Sequence, residues 1–240
     1  MNPLPRPLFA LLPLLVILGC SGVEEAPPGA QPPAECAGRI LEDEAVNARD
    51  LGGHPLSGGA TVACGKLFRG GALSSLGEAG CGEFARLGIR AVVDLREASD
   101  PLASPPAACV EAEILAAPMP KLLPDTPESY VALLEEKAAI RALFSAVADG
   151  ARHPVYFHCV IGRDRASFAA ALLLLALGAE RATVLAEFAL SDEAGVAVKP
   201  GCMEGLLDEI ERRGGVGAVL EAAGVPAAEV QALRQAARVG

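Results

Sequence analysis

The chain has 240 residues, 52% of them hydrophobic, and a formal net charge of −10. That length and apolar content support a folded domain with its own core and exclude a wholly disordered chain. The acidic balance, without a basic block, excludes a nucleic-acid binder, because phosphate backbones require clustered Lys and Arg.

Met1 to Cys20 carries Arg6, then an apolar run from Leu8 to Leu18 broken by Pro13, then Gly19 and Cys20. This is the layout of a secretory signal, and the run is shorter than the roughly twenty apolar residues of a membrane span. The ending Ile17-Leu18-Gly19-Cys20 resembles a bacterial lipobox. The resemblance implies cleavage before Cys20, lipidation of Cys20 and a membrane anchor. An ordinary signal cut nearby, or a retained anchor, is the alternative. Ser21 resembles the outer-membrane sorting residue of Gram-negative lipoproteins, which implies a place on the periplasmic side of the cell envelope. Residues 21–38, rich in Pro, Gly, Ala and Glu, read as a disordered tether, and 39–240 as the folded domain.

Within that domain, Leu76 to Leu87 has a helical apolar pattern, and the Val-rich run through Leu95 reads as a buried strand. Pro101 to Ala108 is a loop, and Ala112 to Ala116 a short strand. Pro127 to Asp149 is expected as one long helix, with Tyr130, Leu133, Leu134, Ala138, Leu143, Phe144 and Val147 as its stripe and Gly150 closing it. Pro154 to His158 is a buried strand, and Ala166 to Leu177 an apolar helix. Beyond Gly178 the chain is helical, with breaks at 195–201, 214–215 and 224–226. Strands alternating with helices predict an α/β fold: a central, mostly parallel sheet flanked by helices, with a helical C-terminal region.

The polar segment between that last strand and its helix is His158-Cys159-Val160-Ile161-Gly162-Arg163-Asp164-Arg165. A short connection there must curl, and its N–H groups, with the helix amino end, can form an anion nest. Gly162 permits a backbone conformation that side chains resist. Arg165 offers a planar fork for two phosphate oxygens. The same positive surroundings favour the thiolate form of Cys159, a nucleophile suited to in-line attack on phosphorus. Taken alone, Cys159 would be read as a buried structural cysteine; the loop changes that reading.

The segment resembles the H-C-x5-R signature of tyrosine and dual-specificity phosphatases. More narrowly, it is similar to the H-C-x-x-G-K-D-R-T loop of the bacterial tyrosine/serine phosphatases. Asn47-Ala48-Arg49-Asp50-Leu51-Gly52-Gly53 resembles that branch's N-F-R-D-L-G-G opening. Gly65 to Gly71 resembles G-x-L-[FY]-R-S-G, and Val92 to Arg96 resembles V-[IV]-D-L-R. The resemblance covers about Val46 to Arg238. It implies a phosphocysteine on Cys159 and phosphate held by Arg165 and by Val160, Ile161, Gly162 and Arg163. Phosphorylated proteins or small phosphomonoesters would be the substrates, with no metal or cofactor. Asp164 is the first candidate for the proton donor. Asp125, upstream at a distance resembling the movable acid loop of dual-specificity phosphatases, is its rival; its plainer reading is a helix cap. Ala166 replaces the hydroxyl residue that usually follows the Arg and aids release of the thiolate. Ala48 replaces the opening Phe.

The remaining positions have plainer readings. His158 packs beneath the loop, and His153 lies on the other strand face, so neither completes a metal site. Asp50 and Arg49 read as turn residues with a structural salt link. Arg69 and Arg96 can pair with carboxylates beneath the site, and Arg212-Arg213 reads as a solvated helix end. For an exported chain, neighbouring cysteines suggest Cys36–Cys64 and Cys81–Cys109, leaving Cys202 single. Spacing does not determine connectivity, and core thiols are the alternative. Two other functions compete: a phosphate-binding pseudophosphatase, motivated by Ala166, and rhodanese-type sulfur transfer, against which the Cys-to-Arg spacing and His158 argue.

Overall fold

The structure, a computed structural model, describes residues 36, 38–41, 44–100 and 102–240. The signal, the lipobox Cys20 and nearly all of the tether lie outside the described residues. The carboxyl end of the tether is fastened, because Cys36 is bonded to Cys64.

In chain order the elements are β1 (Arg49–Asp50), β2 (Thr61–Val62), β3 (Leu67–Gly70), α1 (Glu78–Leu87), β4 (Ala91–Asp94) and β5 (Glu113–Ala116). Then come α2 (Pro127–Ala132), α3 (Lys137–Ala148), β6 (Val155–His158), α4 (Asp164–Leu177), α5 (Arg181–Glu193), α6 (Pro200–Arg212), α7 (Val216–Ala222), α8 (Ala227–Ala237) and β7 (Arg238–Val239). The main sheet has the order β1-β3-β6-β4-β5. Strands β3, β6, β4 and β5 are parallel, and β1 runs antiparallel to β3. A small β2–β7 pair ties the carboxyl end of the chain to Thr61–Val62. The predicted α/β class, with a mostly parallel sheet and a helical C-terminal region, is the class observed.

Successive residues of a strand point to opposite faces, and each face here has its own core. Leu67, Val93, Val155 and Phe157 join the large core formed with α2 to α8. Phe68, Val92 and Tyr156 point the other way and pack with Phe84 of α1, Ile89 and the Ile40–Ala48 segment. Burial on both faces explains why β4 and β6 read as continuous apolar runs rather than alternating ones. Helix α4 is buried around nearly its whole circumference, so its sequence is apolar on every side. Gly178 ends it with φ 103°, and its N–H donates back into the last turn.

Three expectations are corrected. The single helix over 127–149 is broken: a 3-10 turn at Leu133–Glu135 and Glu136 at ψ 57° separate α2 from α3. The break lets α2 pack on α6 while α3 packs on α8; a straight rod could not serve both. The short strand β3 carries Arg69 in its middle, and neither β3 nor β1 was expected as a strand. Cys202, expected to stand alone, is disulfide-bonded. Cys36–Cys64 and Cys81–Cys109 form as paired above, which leaves Cys159 as the free thiol among the described residues.

The Cys36–Cys64 and Cys81–Cys109 disulfides each close a loop with a sequence separation of 28. Loop-closure entropy at that length is worth about 3.5 kcal/mol. Replacing either pair by serines should therefore destabilise the oxidised protein by a similar amount, measured as the shift in urea-unfolding free energy.

Candidate active site

Strand β6 ends at His158 and α4 begins at Asp164, so residues 159–163 form the connection. It emerges at the carboxyl edge of the sheet, flanked by Gly70 of β3 and Asp94 of β4, both in register with His158. Ligands bind at such edges in parallel sheets. Four of the five loop carbonyls are engaged by the surrounding protein. That of Cys159 faces His158 Nδ1 at 2.9 Å, and that of Val160 accepts from the Ala72 N–H at 2.9 Å. The Gly162 carbonyl accepts from Asn47 Nδ2 at 3.0 Å and from Arg69 Nη2. That of Arg163 accepts from the Ser167 N–H at 3.2 Å.

Gly162 is required twice over. Its φ is +70°, and a Cβ there would lie 2.5 Å from the Gly70 carbonyl carbon. Gly70 is equally confined, since its own Cβ would meet the Tyr156 hydroxyl and Ala48. The small Ala48, where the related motif has Phe, thus sits against the glycine pair that supports the loop.

Cys159 lies buried in the loop. Arg165, at the start of α4, is also buried. Its Nη2 pairs with Asp100 Oδ2 at 3.0 Å, and its Nη1 donates to the Met119 carbonyl at 3.3 Å. Burial works against charge on Asp100, but the Leu102 N–H and Arg165 hold its carboxyl below the ordinary value. The segment bearing Asp100 is steadied by Arg96, which forks onto Asp94 and donates to the Leu102 and Ser104 carbonyls. The neighbouring Asp94 Oδ1 is 4.0 Å from His158 Nε2.

Arg163 gathers the two candidate acids. Its Nε donates to Asp164 Oδ1 at 2.7 Å, and its Nη2 lies 3.4 Å from Asp125 Oδ2. Asp164 Oδ1 also accepts from the buried Tyr130 hydroxyl at 2.9 Å. Burial, with Asp164 alongside, pushes the Tyr130 phenol far up, so Tyr130 stays a donor. Asp125 faces Lys199 Nζ at 3.5 Å, from the α5–α6 connection. The cap of α2 is Thr126, not Asp125. Ala166 is fully buried and offers no hydroxyl, while the Ser167 hydroxyl turns to Arg69.

Beneath the loop lies a buried polar cluster. Arg49 Nε donates to Glu187 Oε1 at 2.8 Å, and Arg69 Nη1 lies 2.9 Å from Glu187 Oε2. Burial pushes the Glu187 carboxyl up; Arg49 and Arg69 more than offset this and hold it below the ordinary value. Burial and the adjacent Arg69 lower Arg49 to about 10. His54 is buried beside them, and among the described residues neither of its ring nitrogens has a partner.

Sequence reasoning placed the loop but missed Asp100, Tyr130, Lys199 and Glu187 as parts of its setting. A signal existed for Glu187. Thr183, Val184, Glu187, Phe188 and Ser191 make up the buried stripe of α5, and a charged residue in an apolar stripe demands a partner.

The fold and site are those of an α/β protein with a buried thiol in the loop after β6 and an arginine at the start of α4. The tyrosine phosphatase family matches residues 41–238. A Cupriavidus necator protein, named provisionally as a tyrosine-protein phosphatase, is 32% identical over 224 residues, covering 79% of this chain and 82% of that protein. The core catalytic domain of the Saccharomyces cerevisiae PP-IP phosphatase SIW14, solved with citrate, superposes with a TM-score of 0.41 at 17% identity, over 64% of this chain and 89% of that one. The chain belongs to the tyrosine phosphatase family.

Two predictions arise from the site. Gly162→Ala should cost about 2 kcal/mol through strain and backbone displacement, roughly 4–8 °C in melting temperature, measured by thermal unfolding. The second concerns pH. Burial holds His54 and His158 below the ordinary histidine value of 6.5. A depressed folded value means that their stability contribution is fully present above 6.5 and is lost as pH falls through the folded value. Glu187, also depressed, adds a loss in the same direction below its unfolded value of 4.5. Melting temperature should therefore fall as pH drops from 7 to 5, and His54→Phe should flatten that slope.

Proposed function

We propose that the protein is a cysteine-dependent phosphomonoesterase that acts on phosphotyrosine through a phosphocysteine at Cys159. Its range would extend to phosphoserine, phosphothreonine or phosphoinositide-like esters. The observation that carries this reading is a thiol buried in a loop whose Cys159, Val160, Gly162 and Arg163 carbonyls are taken up by the surrounding protein, beside an arginine paired with Asp100. A loop with its carbonyls turned out has inward room for an anion.

Chemically, Cys159 Sγ attacks phosphorus and forms the S–P bond as the P–O bond to the leaving group breaks. The departing oxygen takes a proton from an aspartic acid. Water then attacks phosphorus and gives a proton to that aspartate, the S–P bond breaks, and phosphate leaves with the thiolate and the aspartic acid restored. Arg165 and the loop N–H groups carry the charge of the equatorial oxygens in both steps. Asp164 is the first candidate for the acid, steadied by Tyr130 and Arg163. Asp125 is the second, tied to the same Arg163.

Ala166 supports a second reading, a pseudophosphatase that attacks but barely turns over. The fully buried methyl leaves Cys159 without the neighbouring hydroxyl that would assist its departure. The envelope location belongs to the same proposal: export through residues 1–20, with a lipid on Cys20. Incorporation of labelled palmitate that is lost in Cys20→Ser would support the anchor, and unlabelled wild-type protein would refute it.

The purified domain should hydrolyse an aryl phosphate under vanadate-sensitive conditions, and Cys159→Ser should reduce this by at least about 10³-fold. Undiminished activity in that variant would overturn the mechanism. A burst of one leaving group per enzyme, followed by very slow turnover, would favour the pseudophosphatase. Asp164→Asn and Asp125→Asn assign the acid: the true donor's variant should lose roughly 10²-fold or more on poor leaving groups and little on good ones.

A further inference from the structure

The Gly162–Arg163 peptide has two orientations that differ in what the loop offers an anion. Turning it over rotates ψ of Gly162, which a glycine tolerates, and φ of Arg163, which is −88°. In one, the carbonyl points down and the following N–H points into the anion hollow. In the other, the carbonyl enters the hollow and repels the anion. In the structure the carbonyl is turned to two donors, Asn47 Nδ2 at 3.0 Å and Arg69 Nη2.

These donors are themselves locked. Arg69 is fully buried, with Nη1 on both Glu187 oxygens at 3.1 and 2.9 Å and Nη2 also on Ser167 Oγ at 3.0 Å. Asn47 also donates to Ser191 Oγ at 3.0 Å, and its Oδ1 accepts from Arg49. Its φ of +59° is tolerated by Asn better than by most side chains. Two guanidiniums share the one buried carboxylate of Glu187. One positive charge is therefore left over beneath the loop, on the side that an inward carbonyl would have to leave.

We propose that Arg69 and Asn47 are positioning residues that hold the Gly162 carbonyl outward and so keep the loop in its phosphate-accepting form. This rests on the phosphatase reading of the site. They touch no substrate and act through one peptide. Their loss lowers the fraction of protein in the accepting form, and apparent affinity falls by that fraction. Bound phosphate itself restores the accepting form, so the effect belongs to KM and to inhibitor affinity, with kcat nearly unchanged.

The test uses Asn47→Gly, which keeps the positive φ and removes only the side chain, and Arg69→Lys, which keeps the charge near Glu187 but loses the second donor arm. Both are assayed on an aryl phosphate with vanadate as competitor, at a temperature where circular dichroism shows each variant folded. Arg141→Ala, which removes a distant surface pair with Glu229, serves as a stability control. Asn47→Gly should raise KM and the vanadate inhibition constant together by about 5–10-fold, and Arg69→Lys by roughly 10–100-fold, as expected for neutral and charged hydrogen bonds. A lowered melting temperature with KM and vanadate inhibition unchanged, as for Arg141→Ala, would overturn the proposal. So would a fall in kcat alone. If Arg69→Lys does not fold, Asn47→Gly decides. Failure of the phosphatase reading shows separately, as absence of Cys159-dependent hydrolysis in wild type. Vanadate affinity measured by calorimetry then still tests the peptide.

Discussion

A loop that binds an anion through its own backbone must turn N–H groups inward, and every N–H turned in sends a carbonyl outward into protein. A buried carbonyl without a donor costs roughly 1–3 kcal/mol. The structure around residues 159–163 is arranged to meet that demand. Ala72, just beyond β3, supplies one backbone N–H, and His158 faces another carbonyl. Asn47 and Arg69 serve the Gly162 carbonyl. Strand β3 lies beside β6, which brings Arg69 and Ala72 to the loop.

Supplying a donor as long as arginine creates the next demand. Arg69 sits in the middle of a strand with no solvent, and an unpaired buried cation is strongly disfavoured. Glu187 of α5 answers it and also holds Arg49. A helix later in the sequence than residues 159–163 therefore completes the floor under that loop. The segment 46–50, at the start of the domain, completes its side. The opening motif and the loop, more than a hundred residues apart, form one hydrogen-bonded unit.

The rim follows a different logic. Arg165 is held from one side by Asp100, and Arg163 is shared among Asp164, Asp125 and the main chain near Ala197. Two arginines there meet three carboxylates, and Lys199 on Asp125 balances the third, so these ion pairs are neutral in sum within a chain whose net charge is −10. The disulfide from α1 to Cys109 restrains the connection that carries Asp100.

The sequence by itself determined the local chemistry: the strand-loop-helix at 154–177, the thiol and guanidinium in one loop, Gly162, and the α/β class. These depend on neighbours along the chain, where apolar periodicity and glycine have direct conformational meaning. The breaking of the 127–149 helix was not legible, because its stripe suits one helix; the need to pack α6 and α8 with different segments divides it. Asp100 on Arg165 and Glu187 between two arginines were likewise decided only by tertiary structure. Each pairs residues from distant segments, and no local pattern says which buried charge meets which. The α5 stripe showed only that a carboxylate would be buried there. Folding put that carboxylate under Gly162.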